Sequence, residues 1–557
     1  VERQRLAERE ERVRDLWFKN AVIYCVEVET FNDSNGDGMG DFRGLTERLP
    51  YIAGLGFDTI WLLPFYPSPM RDEGYDITDF YSVDSRLGTL GDFVEFTHQA
   101  RDYGIRVLAD LVVNHTSDQH PWFESARRSP KSQFRDFYVW KKAKPKDANS
   151  GMVFPGEQKS TWTYDRLAKE YYFHRFYDFQ PDLNIANHEV QEEICKIIGA
   201  WLQLGVSGFR VDAAPFLIEL KGIDSADVTD PFQYLREFRD FLSWRLGDAI
   251  LLAEANVEAD KMLAYTGDGD KLHMMFNFML NQQTFLALAR GQAAPIKEGL
   301  LMPPKLPEGC QWATFLRNHD EIDLGRLTES QRQEVFREMG PQKNMQLYNR
   351  GIRRRLAPML GNDAERLKMA YSLLFSLPGT PVIRYGEEIG MGDDLRSKER
   401  NSIRTPMQWT AGENAGFSKA QRTKLFRPVI SGGEYGYEKV NVAAQQRDAQ
   451  SLLNFIERCI RARKQCPEFG WGTWQAVETA DDAVFAHTIT WRGKTILAVH
   501  NLGDEATRLE IDLSDHHADR ATDILGTQGE IPIRRGKINL ELAPYDHRWL
   551  RLCGQCL

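Results

Sequence analysis

Gly205-Val206-Ser207-Gly208-Phe209-Arg210-Val211-Asp212-Ala213-Ala214-Pro215 is the stretch that decides how the chain is read. It is a short apolar run entered through glycines, the pattern of a buried β-strand. Side chains alternate along a strand with period two, so Arg210 and Asp212 share a face. A guanidinium beside a carboxylate favours the ionised form. An ionised carboxylate at the end of a strand is either half of a structural ion pair or a nucleophile, and the rest of the chain decides between them.

Seven further runs resemble this one. In order the eight are Ala21–Val28, Phe57–Phe65, Ile105–Val113, Val206–Ala214, Ile250–Asn256, Leu272–Leu280, Cys310–Leu316 and Pro381–Tyr385. They are nearly continuously apolar and alternate with helix-like segments, as strands of a parallel sheet buried on both faces do. Eight βα units predict an α/β (β/α)8 TIM barrel, with a doubly wound open sheet as the alternative. Residues 1–115 and 185–472 form the barrel. The aromatic, lysine-rich stretch 116–184, after the third strand, is too long for a simple loop and predicts an inserted domain. Residues 323–362, after the seventh strand, carry the basic run Arg350-Gly351-Ile352-Arg353-Arg354-Arg355 and predict a helical lid over the catalytic end. From 473 to 557 short alternating strands, such as Lys494–Asn501 and Thr507–Leu513, predict a carboxy-terminal β-sandwich.

Composition narrows the function. The chain has 557 residues, ordinary globular composition and a net charge of −10, which argues against a nucleic-acid or anionic-membrane partner. No apolar run approaches a membrane span. Val1 to Arg14 is a Glu/Arg-rich segment and not a secretory signal. Seven scattered cysteines, an odd number, point to free thiols and a cytoplasmic setting. Cys553-Gly554-Gln555-Cys556 has redox spacing but no βα context, and reads as a tail.

In a TIM barrel the chemistry sits at the carboxyl ends of the strands. Polar residues collect there: Asp110 to Asn114-His115 after strand three, Arg210 and Asp212 on strand four, Glu254 on strand five, and Asn318-His319-Asp320 after strand seven. Each alone could be a helix cap or an ion pair. Together they describe one site with three carboxylates and two histidines. Two carboxylates flanking a bond are the machinery of glycoside chemistry, one ionised and one protonated. Arg210 beside Asp212 suits the first role, and the apolar surroundings of Glu254 suit the second.

These segments, with Gln180-Pro181-Asp182-Leu183-Asn184, resemble the ordered motifs of the α-amylase family over nearly the whole chain. The resemblance implies that Asp212 is the nucleophile, Glu254 the acid/base and Asp320 the transition-state stabiliser, with His115, His319 and Arg210 around the sugar. Asp72-Glu73-Gly74-Tyr75-Asp76 resembles the segment that closes the glucose pocket of exo-acting members, Asp72 and Tyr75 holding the non-reducing end. Asn401-Ser402-Ile403-Arg404 resembles a motif of α-glucosidases, and Arg404 would pair with Asp72 or bind the terminal glucose. Within the family the stretches around Pro307–Trp312, Gly351–Leu360, Gly386–Asp393 and Tyr435–Gln445 are similar to those of trehalose synthases, maltose α-D-glucosyltransferases. The expected function is therefore retaining isomerisation of maltose to trehalose. The alternative is an exo-acting α-glucosidase or a glucosyltransferase to another acceptor. A catalytically dead barrel predicts loss of a carboxylate, and none is lost. A homo-oligomer is left open, and association with a maltokinase is known for some relatives. Three positions depart from the family pattern: Phe179 where a histidine is expected, Asn277-Phe278-Met279-Leu280 without a proline, and Arg384 on strand eight where a tyrosine is more common.

Asp33-Ser34-Asn35-Gly36-Asp37-Gly38-Met39-Gly40-Asp41 alternates oxygen ligands with glycines in the manner of a calcium loop. The expected donors are Asp33, Asn35, Asp37, the Met39 carbonyl and Asp41, holding structural Ca²⁺ with Mg²⁺ as the alternative. The family resemblance implies a second Ca²⁺ on Asn114 and Asp182, completed by the carbonyls of Phe216 and Leu217 and the carboxylate of Glu219.

Overall fold

A computed structural model describes residues 16–154, 156–221, 230–526 and 529–554. The charged amino-terminal segment and Cys556 lie outside them. Eight short strands close into a barrel: β1 (Ile23–Val26), β2 (Thr59–Leu62), β3 (Arg106–Leu111), β4 (Gly208–Val211), β5 (Ile250–Ala253), β6 (Met274–Phe276), β7 (Gln311–Phe315) and β8 (Thr380–Arg384). Every neighbouring pair is parallel, and β8 returns to β1 with Val382 opposite Ile23. Closure excludes the open-sheet alternative. Seven of the strands fall inside the apolar runs, and β8 starts one residue before its run, at Thr380. Amphipathic helices sheathe the outside. The helix His188–Gln203, for example, buries Val190, Ile194, Ile197, Ile198 and Trp201 at helical spacing.

The interior follows from the two-residue period. Ile23, Cys25, Trp61, Leu108, Ile250, Leu252, Met274, Phe276, Ala313, Phe315 and Val382 form one apolar cluster. Stepping two residues further along the same strands gives Glu27, Asp110, Glu254 and Arg384, joined from β4 by Arg210 and Asp212. The barrel therefore changes from apolar to charged towards the carboxyl ends of its strands. Gly208 is needed where β4 meets β5: a Cβ there would lie 2.4 Å from the Ile250 carbonyl oxygen, and φ is +154°.

The run Leu272–Leu280 is strand only over β6. The Asn277 side chain accepts from Leu280 N and opens the helix Phe278–Arg290, so the second half of that run is helical.

Between β3 and β4 lie a helix, Pro121–Arg128, and an antiparallel sheet in which Glu170–Phe173 is flanked by Trp140–Lys141 and Trp162–Asp165. It returns to the barrel through the bridge His115–Asp182, next to an internal bridge Tyr138–Leu183. After β7 come three two-residue strands and the helix Glu329–Met339, whose amino end carries a capping box between Thr328 and Gln331. The arginines of the basic run fasten this excursion to the chain after β8: Arg354 to Asp393 at 3.2 Å, Arg355 to Glu387 at 3.1 Å, and Arg353 to Ser402 Oγ at 3.2 Å. The carboxy-terminal domain has a six-stranded and a two-stranded antiparallel sheet packed over a shared core that includes Leu497, Val499, Ile511 and Ile538. Among the described residues no helix is long and apolar enough to cross a membrane.

Candidate active site

Arg210 stands at the centre. Its Nη1 donates to Asp212 Oδ1 at 2.6 Å and Asp110 Oδ1 at 3.2 Å, and its Nη2 lies 2.7 Å from Glu254 Oε2. One guanidinium serves three carboxylates. Burial pushes the Asp212 carboxyl well above its usual range. Arg210 opposes this, but Glu254, Asp110 and Asp320 add to it. Burial likewise raises Asp110 to about 6 against the pull of Arg210. Asp212 has the arginine partner expected from sequence but shares it with Asp110 and Glu254.

The turn after β4 shapes the second carboxylate. Ala213 has φ +49°, a left-handed conformation that is costly for a residue with a Cβ. It aims the Ala213 N–H at Glu254 Oε2, 3.1 Å away. Asp320 differs from Asp212. Arg400 Nη1 and Arg404 Nη2 each approach its Oδ1 at 3.1 Å, and His319 Nε2 lies 3.2 Å from Oδ2. Burial works against ionisation there, but Arg400, Arg404 and Arg210 outweigh it and hold the carboxyl well below the usual range.

Tyr75 donates to Asp110 Oδ2 at 2.8 Å and stacks on His319 with the rings 9° from parallel. Burial lowers His115 to about 4 and His319 well below its ordinary value, so both are neutral hydrogen-bonding groups. Asp72 accepts from Gln180 Nε2 at 2.8 Å, and burial together with Glu73 raises it to about 7. Arg404 does not pair with Asp72. Its contacts are Asp320, Glu27 at 3.3 Å, Glu73 at 3.7 Å and the His319 carbonyl at 3.0 Å. Gln180 takes the place expected for the arginine.

Asp72, Tyr75, His115, Asp212, Glu254 and Asp320 line one cavity of about 890 Å³. Two of its lining residues, Phe154 and Arg400, belong to a run of rings beside it. Arg71 lies over Phe179, which stacks on Tyr177; Phe154 packs against both Tyr177 and Tyr348, and Arg400 lies over Tyr348. Tyr177 Oη donates to Glu399 Oε2 at 3.1 Å. This arch joins the insertion, the excursion after β7 and the segment before Arg404. It accounts for Phe179, whose ring a histidine would not replace as an apolar slab. Arg400 and the arch were missed in sequence. Arg400 directly precedes the quoted Asn401 motif, and that adjacency was the available signal.

The two expected metal sites differ. In the first loop Asp33 accepts from Gly36 N at 2.7 Å and Gly38 N at 2.8 Å, Asn35 from Asp37 N at 2.8 Å, Asp37 from Met39 N at 2.9 Å, and Asp41 from Gly44 N at 2.6 Å. Every donor to a cation here is an oxygen, and each keeps lone-pair capacity, which fits a hard cation. Among the described residues no three His, Cys, Asp or Glu side chains converge on a metal position, so binding here would also use Asn35 and the Met39 carbonyl. The second set does not fit. Lys221 Nζ lies 3.0 Å from Asn114 Oδ1, 3.3 Å from Asn114 O, 2.8 Å from Leu183 O and 3.0 Å from Asp182 Oδ2. Glu219 is ion-paired with Arg175. An ammonium group holds the place expected for the second ion, and the carbonyls of Phe216 and Leu217 have no cation to complete.

The α-amylase catalytic-domain profile matches residues 25–472, and a sucrose hydrolase-like carboxy-terminal domain matches 493–551. The chain is 44% identical to the trehalose synthase/amylase TreS of Mycolicibacterium smegmatis over 85% of its own length and 80% of the relative's. It is 39% identical to the trehalose synthase of Pimelobacter sp. over 96% of both chains. Among solved structures it is similar to an α-amylase from H. orenii (TM-score 0.77, 26% identity, 96% of this chain and 99% of that one) and to a trehalulose synthase (TM-score 0.76, 26% identity, 96% and 100%). The chain belongs to the α-amylase family.

Proposed function

We propose that the protein transfers an α-glucosyl unit with retention, converting maltose into trehalose within one closed site. The observation that carries this reading is the convergence of Asp212, Glu254 and Asp320 on one cavity, with Asp212 and Glu254 on the two Nη atoms of one arginine. Such proximity is compatible with the separation of about 5 Å used by retaining enzymes. The relatives named trehalose synthase support the choice of sugar.

In this reading the Asp212 carboxylate attacks the anomeric carbon while Glu254 protonates the departing glycosidic oxygen. The products are a covalent glucosyl-enzyme and a free glucose held under the arch. Asp72, Tyr75 and His115 hold the glucosyl unit, and Asp320 binds the hydroxyls of the distorted ring. The glucose turns and its anomeric hydroxyl attacks the same carbon. Glu254 takes its proton and Asp212 leaves. Water must be kept out, since it would hydrolyse the intermediate. A Ca²⁺ in the loop of Asp33, Asn35, Asp37, Met39 and Asp41 would stabilise the fold behind β1 and takes no part in these steps. The cysteines found free among the described residues support a cytoplasmic setting.

The test is product analysis after incubation with maltose and, separately, with trehalose. Each disaccharide should yield the other with little glucose. Dominant glucose would make the protein an exo-acting α-glucosidase. Asp212→Asn, which removes charge and almost no volume, should lose at least about a thousandfold in kcat.

A further inference from the structure

A row of alternating charges runs from the barrel wall to the site: Arg384, Glu27, Arg404, Asp320, Arg400. Arg384 Nη2 donates to Glu27 Oε2 at 2.8 Å, Arg404 Nε lies 3.3 Å from Glu27 Oε1, and Arg404 Nη2 donates to Asp320 Oδ1 at 3.1 Å. Arg384 and Glu27 are almost wholly buried, and neither lines the cavity. A buried ion pair is a weak source of stability compared with apolar residues of the same volume. Its presence at the charged end of the barrel calls for another explanation.

The hydrogen bonds of Glu27 supply one. Oε2 accepts from Arg384 and has two hydroxyls beside it: Tyr385 Oη at 3.2 Å, whose hydrogen is shared with the Thr405 carbonyl at 2.8 Å, and Thr30 Oγ1 at 3.3 Å. Oε1 is buried and accepts no hydrogen bond. It faces Arg404 Nε, but that N–H is donated to the His319 carbonyl at 3.0 Å. Glu27 thus attracts Arg404 without capturing it, because Arg384 holds the carboxylate back. Arg404 is left free to direct its Nη2 at Asp320. Arg427 is a further cation in the field of Glu27. If Arg384 lost its charge, Glu27 could rotate and bind Arg404 with both oxygens, the geometry a guanidinium favours. Arg404 would then leave Asp320.

We infer that Arg384 and Glu27 are a positioning pair that sets Arg404, and through it Asp320, for binding the distorted sugar. The inference rests on the glucosyl-transfer reading of the site. It also gives a role to Arg384, the residue on β8 that departs from the family pattern.

The experiment is a double-mutant cycle on the full chain with maltose as substrate, reading kcat, KM and the trehalose-to-glucose product ratio. Arg384→Met should lower kcat about tenfold, leave KM within about threefold and raise the share of glucose, since the released Glu27 draws Arg404 away. Arg384→Lys should recover much of the loss. The decisive variant is Glu27→Gln with Arg384→Met, which buries no unpaired charge and removes the competitor for Arg404. It should be more active than Arg384→Met alone. Losses that simply add in the double variant, or an unchanged kcat and product ratio in Arg384→Met, would overturn the pair's role. If Arg384→Met fails to fold, comparison of the double variant with Glu27→Gln alone decides: near-equal activity supports the inference, and a further additive loss overturns it. Full activity in Asp212→Asn would instead bring down the underlying reading.

Discussion

Arg210 shared among Asp110, Asp212 and Glu254 fixes the pH behaviour of the site. Burial raises Asp110 to about 6 and lifts Asp212 above the usual carboxylate range, and the arginine that opposes this is shared between them. A nucleophile acts only when ionised, so activity should be lost as pH falls through that raised value. Asp72, raised to about 7, adds a second step near neutrality, because its protonated form is a poorer acceptor for sugar hydroxyls. The acid limb of kcat/KM for maltose should therefore lie above the range of ordinary carboxylates. In Asp72→Asn the component near 7 should vanish while the Asp212 component stays. An acid limb at the ordinary carboxylate value in the intact protein would contradict the shared-arginine geometry. The residue types and their places at strand ends were legible in sequence, because period two and strand parity put them there. Their ionisation was not. A sequence shows that Arg210 neighbours Asp212, but not that Asp110 on β3 and Glu254 beyond β5 reach the same cation.

At the level of elements, the proposed isomerisation should depend on the arch, which meets the cavity at Phe154 and Arg400. Its rings come from Phe154, Tyr177, Phe179 and Tyr348, on segments far apart in the chain, and Tyr348 and the next residue both have left-handed backbone, with φ +53° and +57°. Aromatic pairs contribute about 0.5–1.5 kcal/mol each, so removing Tyr348, which touches Phe154 and Arg400, weakens the closed state by roughly 1–3 kcal/mol. A shift of that size raises the open population by between about five- and a hundredfold. Tyr348→Ala should accordingly raise the glucose-to-trehalose ratio from maltose by roughly that factor while the rate of glucosyl-enzyme formation changes little, which single-turnover measurement would check. An unchanged ratio would mean that other contacts exclude water. The barrel strands were legible because burial on both faces leaves a continuous apolar signature. The early end of β6 was not, since Asn277 acts as a helix cap only once the helix Phe278–Arg290 is known. The arch was not legible either, because single aromatic residues carry no periodicity that ties one segment to another.

Over the whole molecule, the insertion is coupled to the barrel by an internal cation. Lys221, just past β4, reaches Asn114 at the end of β3 and Asp182 and Leu183 where the insertion returns. The family resemblance placed a metal at this junction, and the lysine five residues downstream of Phe216 supplies a fixed charge in its place. The ammonium cannot be removed by a chelator, so the junction should be insensitive to EDTA. Chelation should act only through the loop of Asp33 to Asp41, and Asp37→Ala should abolish any effect of EDTA on thermal unfolding. Lys221→Met keeps the stem but leaves Asp182 and the carbonyls buried without a partner, a change that costs about 3–5 kcal/mol when a buried pair is broken. The variant should unfold at markedly lower temperature. Because its remaining oxygens form a set suited to a hard cation, added Ca²⁺ should restore part of the loss in Lys221→Met and give no such gain at this junction in the intact protein. Combining Lys221→Met with Asp37→Ala isolates the junction from the loop. Recovery by Ca²⁺ in that double variant would show that the lysine stands where an ion would bind. Failure to recover would reduce it to an ordinary buried ion pair.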